Sequence, residues 1–310
     1  MAMANYTEDL AQKTFKEQLC RAGLTAAAAI HSQLTFLSAL NIFLSITAVL
    51  GNVLILVALR KECCLYARSK ILLRSLAVSD LCVGLISEPL TVTYWMSELN
   101  GRWNICRHVW AAGYIASITL CVVSLLTVTA ISVERLLVLL GLRYRQGITL
   151  KGTYAIVIAF WVVSTATTTM YFWNFLIALW YAFAVVLLCL VTSVCSYTKI
   201  FFSLRRYQAQ LQSQTQRPSQ ENPLNIARYK RAVSSAVWLQ LTLVACYLPH
   251  GIVTALWTNN ELFPSVFLAT KYTVTLVFLN SSLNPILYCW KIQEVRQSVK
   301  DTVRQVLCCP

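Results

Sequence analysis

Charge is what this sequence has least of. Only 12% of its 310 residues are Asp, Glu, Lys or Arg, about half the share of a soluble globular domain. With 57% apolar residues and a mean hydropathy of +0.61, a water-soluble globule is excluded. Nine glycines and seven prolines are too few for a collagen-like or low-complexity chain. The three histidines, His31, His108 and His250, are scattered, and no His/Cys/Asp spacing suits a metal, so an enzyme is not expected. Acid is scarcer than base, 12 residues against 26, for a net charge of +14. Such a balance raises nucleic acid or an anionic membrane as partner. In so apolar a chain the membrane takes precedence, and nucleic acid is not expected. The twelve cysteines lie in apolar runs or basic segments, spaced neither as a disulfide framework nor as a zinc site.

What is present is a series of long runs without charge. About 20 apolar residues of helix cross a bilayer core, because every backbone group must be satisfied internally. Ala22 to Leu59 is one such run. Ser75 to Ser97 is a second, broken only by Asp80 and Glu88, and His108 to Val133 a third. Positions 152–198 carry no charge at all, room for two helices, with the aromatic Tyr171-Phe172-Trp173-Asn174 segment as the turn. Ala232 to about Trp257 and about Pro264 to Trp290 make seven spans. The expected fold is an all-α membrane protein, a seven-helix transmembrane bundle over 34–290. A tail over 1–33 precedes it. Ile292, Val295, Val299 and Val303 then mark a short amphipathic eighth helix in 291–310, lying on the membrane face.

Orientation follows from the basic residues. With the N-terminus outside, twenty Lys and Arg fall in inner segments and six, Lys13, Lys16, Arg21, Arg102, Arg107 and Lys271, fall outside, as the positive-inside rule requires. The first 33 residues lack the apolar core of a cleavable signal, so the first span is expected to insert by itself. The Gln/Ser-rich stretch 208–222 reads as a flexible inner loop. Localisation is therefore the cell membrane, multi-pass, with lipid as an unavoidable partner.

Polar residues inside the spans are costly, and each is a candidate site. Asp80 is near mid-span; Asn52, Ser124, Asn280, Ser281 and Asn284 are neutral oxygen donors in other spans. Together they can hold a hydrated monovalent cation or form a purely structural polar network. Glu134-Arg135 ends the third span, and Asn284-Pro285-Ile286-Leu287-Tyr288 the seventh. Pro285 removes a backbone bond there and Asn284 can cover a freed group.

These residues carry a resemblance to the rhodopsin-like (class A) G-protein-coupled receptors. It runs through Gly51-Asn52, Ser79-Asp80, Glu134-Arg135-Leu136, Trp161, Tyr197, Cys246-Tyr247-Leu248-Pro249 and Asn284-Pro285-Ile286-Leu287-Tyr288, one motif per span in the right order. Ser124 to Leu140 and Leu142-Arg143-Tyr144-Arg145 resemble the orphan receptors of corals and anemones. The resemblance implies that Arg135 with Glu134 is the switch met by a heterotrimeric G protein, with Tyr197, Asn284, Pro285 and Tyr288 as its partners. It implies a sodium pocket of Asn52, Asp80, Ser124, Asn280, Ser281 and Asn284, sodium being an allosteric modulator and the only metal expected. No other cofactor is implied, and arrestin is a further expected partner.

The chain departs from the family in instructive places. Tyr247 stands where a Trp is usual, Leu243 where a Phe is, and the fifth span has no Pro. The third-span Cys of the family falls on Trp110, and the short connection between the fourth and fifth spans has no Cys, so the usual disulfide is not available. These absences also occur together in the melanocortin, adenosine, cannabinoid and lysophospholipid receptor group.

The aminergic Asp position is Ser117 and the opsin Lys position is Phe278, so neither an amine salt bridge nor retinal attachment is expected. Ligand-pocket candidates are Glu88, Ser117, Tyr247, His250, Lys271 and Phe278. Glu88 is either a ligand group for a basic peptide, as in melanocortin receptors, or a partner of Arg102 or Lys271. His250 is expected to be a satisfied core histidine. The function expected is conversion of extracellular ligand binding into G-protein activation. The alternatives are a seven-span transporter or channel, against which the lack of an internal repeat argues, and a ligand-free constitutively active or scaffold receptor. Asn5-Tyr6-Thr7 is a glycosylation sequon. Cys308 and Cys309 suit palmitoylation after an amphipathic basic helix. Cys20 and Cys106 are the cysteines expected outside; a disulfide between them is open, and two free thiols are the expectation.

Overall fold

The computed structural model describes residues 28–60, 67–139, 149–172, 174–213, 238, 241–256, 265–291 and 293–308. The helices are α1 (Ala28–Arg60), α2 (Ala67–Cys82), α3 (Glu88–Leu99), α4 (Trp103–Leu139) and α5 (Leu150–Thr168). They continue with α6 (Phe175–Ser213), α7 (Leu241–Leu256), α8 (Ser265–Lys291) and α9 (Gln293–Cys308). No strand occurs among the described residues. Among the described residues five helices are long and apolar enough to cross a membrane, and α7 is a shorter apolar helix. The second span is the composite α2–α3. The chain is a multi-pass membrane protein built as a seven-helix bundle, with α9 as the amphipathic eighth helix.

The outside of the bundle is apolar. Phe43, Leu50, Ile158, Val162, Leu188 and Ile286 are each at least 60% exposed, and a soluble protein would not leave such a surface bare. The inside is where the polar groups are. Asn41 Nδ2 donates to Thr275 Oγ1 at 2.9 Å and Ser282 Oγ to the Leu44 carbonyl at 2.9 Å, tying the first span to the seventh. Thr119 donates to Thr168 at 3.0 Å between the third and fourth spans. Apolar packing gives no net drive between helices in lipid, so such bonds and close backbone approaches do much of the holding.

Helix α1 already runs from Ala28, so the tail-to-bundle boundary placed at 33/34 lies within it. The short turn between the fourth and fifth spans falls where expected, Thr169–Phe172 being a 3₁₀ turn before Asn174. The second span carries a feature not expected, a π-helical turn over Val83–Ser87. Pro89 explains it: its ring would clash with the carbonyl four residues back and it has no N–H to give. The extra residue relieves the clash, with the Glu88 N–H donating to the Val83 carbonyl. In an uninterrupted α-helix Glu88 would stand about 80° round the axis from Asp80; one added residue brings them within about 20°. Both are fully buried.

Helix α9 presents Val295 to the core cluster that contains Leu59, Leu287 and Tyr288, with Val299 packed beside it. Ile292 lies outside the described residues, as do Asn5, Cys20 and Cys309.

Candidate functional site

Asp80 is the centre of the polar interior. Ser124 Oγ of the third span and Ser281 Oγ of the seventh each donate to Asp80 Oδ1 at 2.9 Å, and Asn284 Nδ2 donates to Oδ2 at 2.7 Å. One carboxylate thus joins three spans. Four of the six sequence-chosen residues meet here. Asn52 sits one step away, its Nδ2 donating to the Ala48 carbonyl at 2.8 Å and to the Ser281 carbonyl at 3.2 Å. Asn280 is buried in the same region of the seventh span. The donor set, a carboxylate with hydroxyl and amide oxygens around it, suits a hard monovalent cation.

Above this network lies a cavity of about 120 Å³. Ser117, Cys121, Tyr247, His250, Thr254 and Phe278 line it, with Val122, Phe183 and Val277 among the apolar remainder. Four of the six ligand candidates, Ser117, Tyr247, His250 and Phe278, therefore share one space. Tyr247 Oη donates to the Cys121 carbonyl across the third span at 3.5 Å. The expected core role of His250 holds in one respect, since its Nδ1 is 3.2 Å from Thr273 Oγ1, but it faces the cavity as well.

Lys271 and Glu88 are not in that lining. Lys271 Nζ is bonded at 2.9 Å to Glu98 Oε2, both side chains buried. Its ammonium also stands 4.1 Å from the Tyr94 ring centre and 4.6 Å from that of Phe267, an aromatic enclosure that favours a cation. The expected pairing of Glu88 with Lys271 is thus replaced by Glu98, a residue the sequence reading passed over because it falls just beyond the second apolar run. Arg102 is exposed. Glu88 is fully buried, and neither of its carboxyl oxygens has a hydrogen-bond partner among the described residues.

At the basic end, Ser69 Oγ lies 2.9 Å from both carboxyl oxygens of Glu134. Among the described residues Arg135 makes no ion pair with that neighbour. Tyr197 Oη is hydrogen-bonded to Ser132 Oγ at 2.8 Å, one turn before Arg135. Tyr288 is buried and its hydroxyl has no hydrogen-bond partner among the described residues. Pro285 lies inside α8, one residue after the Asn284 that bonds Asp80.

Cys106 corrects another expectation. It is disulfide-bonded and fully buried, whereas Cys82, Cys121, Cys189, Cys195, Cys246 and Cys289 are free.

Comparison with known proteins agrees with this arrangement. Residues 51–174 and 166–288 match the family described as 7 transmembrane receptor (rhodopsin family). The chain is 22% identical to adenosine receptor A3 of Ovis aries over 302 residues, covering 87% of this chain and 90% of that receptor. It is 23% identical to melanocortin receptor 5 of Mus musculus over 292 residues, 87% of this chain and 84% of the relative. To the probable G-protein coupled receptor 45 of Mus musculus it is 21% identical over 304 residues, with 84% and 80% covered. The adenosine and melanocortin receptors among these relatives are of the group that the missing family disulfide and fifth-span Pro suggest. With its motifs spread over every span and matched from Gly51 to Tyr288, the chain belongs to the rhodopsin family of seven-transmembrane receptors.

Proposed function

We propose that this receptor converts occupation of the cavity by an extracellular ligand into activation of a heterotrimeric G protein at the basic end. One observation carries the reading: Asp80 ties the second, third and seventh spans together beneath a cavity that the third and seventh spans also line. A ligand that moves those spans shifts the same hydrogen bonds that hold Asn284 beside Pro285. Only differential contact with two states can shift an equilibrium, and a ligand in this cavity would touch the third and seventh spans that Asp80 joins. The described lining carries no formal charge, which favours a neutral, largely apolar ligand with a few hydrogen-bonding groups. A basic peptide held by Glu88 is disfavoured, since that carboxyl is buried away from the cavity.

Sodium in the Asp80 network would stabilise the resting arrangement, by joining a carboxylate to hydroxyls of two other spans. A second reading, ligand-free basal signalling, is favoured by the absence among the described residues of an ion pair holding Arg135. The test is nucleotide exchange by purified heterotrimer with the receptor in lipid nanodiscs. Exchange above the empty-disc rate that falls at least tenfold in Arg135→Ala, at equal folded receptor, supports the proposal. Equal exchange by wild type and Arg135→Ala rejects it.

A further inference from the structure

Buried charge does not balance among the described residues. Asp80, Glu88 and Glu98 are buried acids and Lys271 is the buried base, and Lys271 is already bonded to Glu98. Asp80 and Glu88 are left without a basic partner, whereas buried charges are as a rule paired or coordinate a metal ion. The orphan atoms around them are of one kind. Both carboxyl oxygens of Glu88, Asn41 Oδ1 and Asn52 Oδ1 are buried acceptors with no hydrogen-bond partner, and no side-chain N–H among the described residues is orphaned beside them. A cation answers that imbalance in charge, and the water it carries supplies the donors.

The first two spans bring these oxygens together. They run antiparallel, since Arg74 bonds the Leu59 carbonyl, Ser45 the Gly84 carbonyl, and Trp95 packs with Leu34 and Leu37. Asn41 is one turn before Ser45 and Glu88 one turn after Gly84, so the two are level. Asn52 bonds the carbonyl of Ser281, whose hydroxyl bonds Asp80. The π turn puts Glu88 on the Asp80 face of its helix, and helical side chains lean toward the N-terminus, here the Asp80 end. The charges of Asp80 and Glu88 act on each other and on Cys121, which lines the cavity. Eight residues separate the two acids, about 12 Å along the axis. One bare ion with oxygen contacts near 2.5 Å cannot touch both, but an ion with its water can link them.

We propose that Glu88 is a second carboxylate of the cation site centred on Asp80, joined through the hydration shell of a sodium ion on its cavity side. The inference rests on the reading of the Asp80 network as a sodium site. Asp80 seats the ion; Glu88 holds its water, with Asn41 Oδ1 level with it as a further acceptor. Two unit charges about 8–10 Å apart at an effective dielectric constant near 20 change affinity roughly tenfold. Glu88 is therefore a positioning residue that sets how much sodium the receptor needs, while the Asp80 contact sets whether sodium binds at all.

The test is the melting temperature of full-length receptor in lipid nanodiscs, titrated with sodium chloride against choline chloride at constant ionic strength. Glu88→Gln should raise the sodium midpoint about tenfold while the melting shift at saturation stays near the wild-type value. Glu88→Asp, which keeps the charge, should titrate within about threefold of wild type. A Glu88→Gln midpoint within twofold of wild type overturns the inference, because the neutral amide would then replace a side chain that carries no charge toward the ion. If Glu88→Gln yields no folded receptor, Glu88→Ala, which leaves room for water, is titrated in its place against the same two limits. Failure of the underlying reading looks different. Wild type that melts alike in sodium and choline, or a full sodium shift in Asp80→Asn, removes the Asp80 site and this inference with it.

Discussion

A Cβ on Gly51 would stand 2.9 Å from Cγ and 3.0 Å from Cβ of Pro285, so the first and seventh spans meet through a glycine against a proline ring. The ring is rigid and cannot swing aside. Overpacking of this kind costs about 1–3 kcal/mol. Gly51→Ala should therefore lower the melting temperature of detergent-solubilised receptor by several degrees. Gly113→Ala is the control, since its added Cβ would meet Leu90 Cβ at an ordinary 3.5 Å. If the two variants melt alike, the close approach does not constrain the bundle.

Lys271 and Glu98 are buried together, and breaking a buried pair leaves an uncompensated charge at a cost of about 3–5 kcal/mol. Lys271→Met alone should sharply reduce folded receptor. The double variant Glu98→Leu/Lys271→Met should recover much of that loss, because two apolar groups leave no orphan. Fluorescence-detected size exclusion of the three variants measures this, and a double variant worse than the single would contradict it.

Asp80 accepts from Ser124, Ser281 and Asn284 at once. Wild-type receptor should melt higher in sodium chloride than in choline chloride at equal ionic strength. Asp80→Asn should erase that difference, because the carboxylate is the only formal charge among the sequence-chosen residues. A salt-specific shift that survives the substitution would move the cation elsewhere.

Ser69 Oγ is hydrogen-bonded to Glu134, which makes no ion pair with Arg135 among the described residues. A net hydrogen bond is worth about 0.5–1.5 kcal/mol. Ser69→Ala should free the carboxylate to pair with Arg135 and lower basal nucleotide exchange by roughly two- to tenfold. Unchanged or increased basal exchange would show that Ser69 plays no part in the balance.

The seven spans, the amphipathic helix and the Asp80 network were legible in the primary structure. Charge is too costly in hydrocarbon to go unnoticed, and a lone Asp in an apolar run declares itself. Only three-dimensional packing could decide which acid meets Lys271. In the sequence Glu88 is the acid that stands inside the second apolar run, and the π turn before Pro89 sets where every later side chain of that helix points. A one-residue bulge leaves no trace in a hydrophobic count, yet it rotates the helix beyond it by about 100°. The same holds for Cys106, whose bonding depends on a distance and not on its neighbours in sequence. Composition determined that the chain lives in a membrane and which of its groups must be satisfied there. The tertiary structure alone decided the partners, because helix rotation and inter-span distance are set by packing across the bundle.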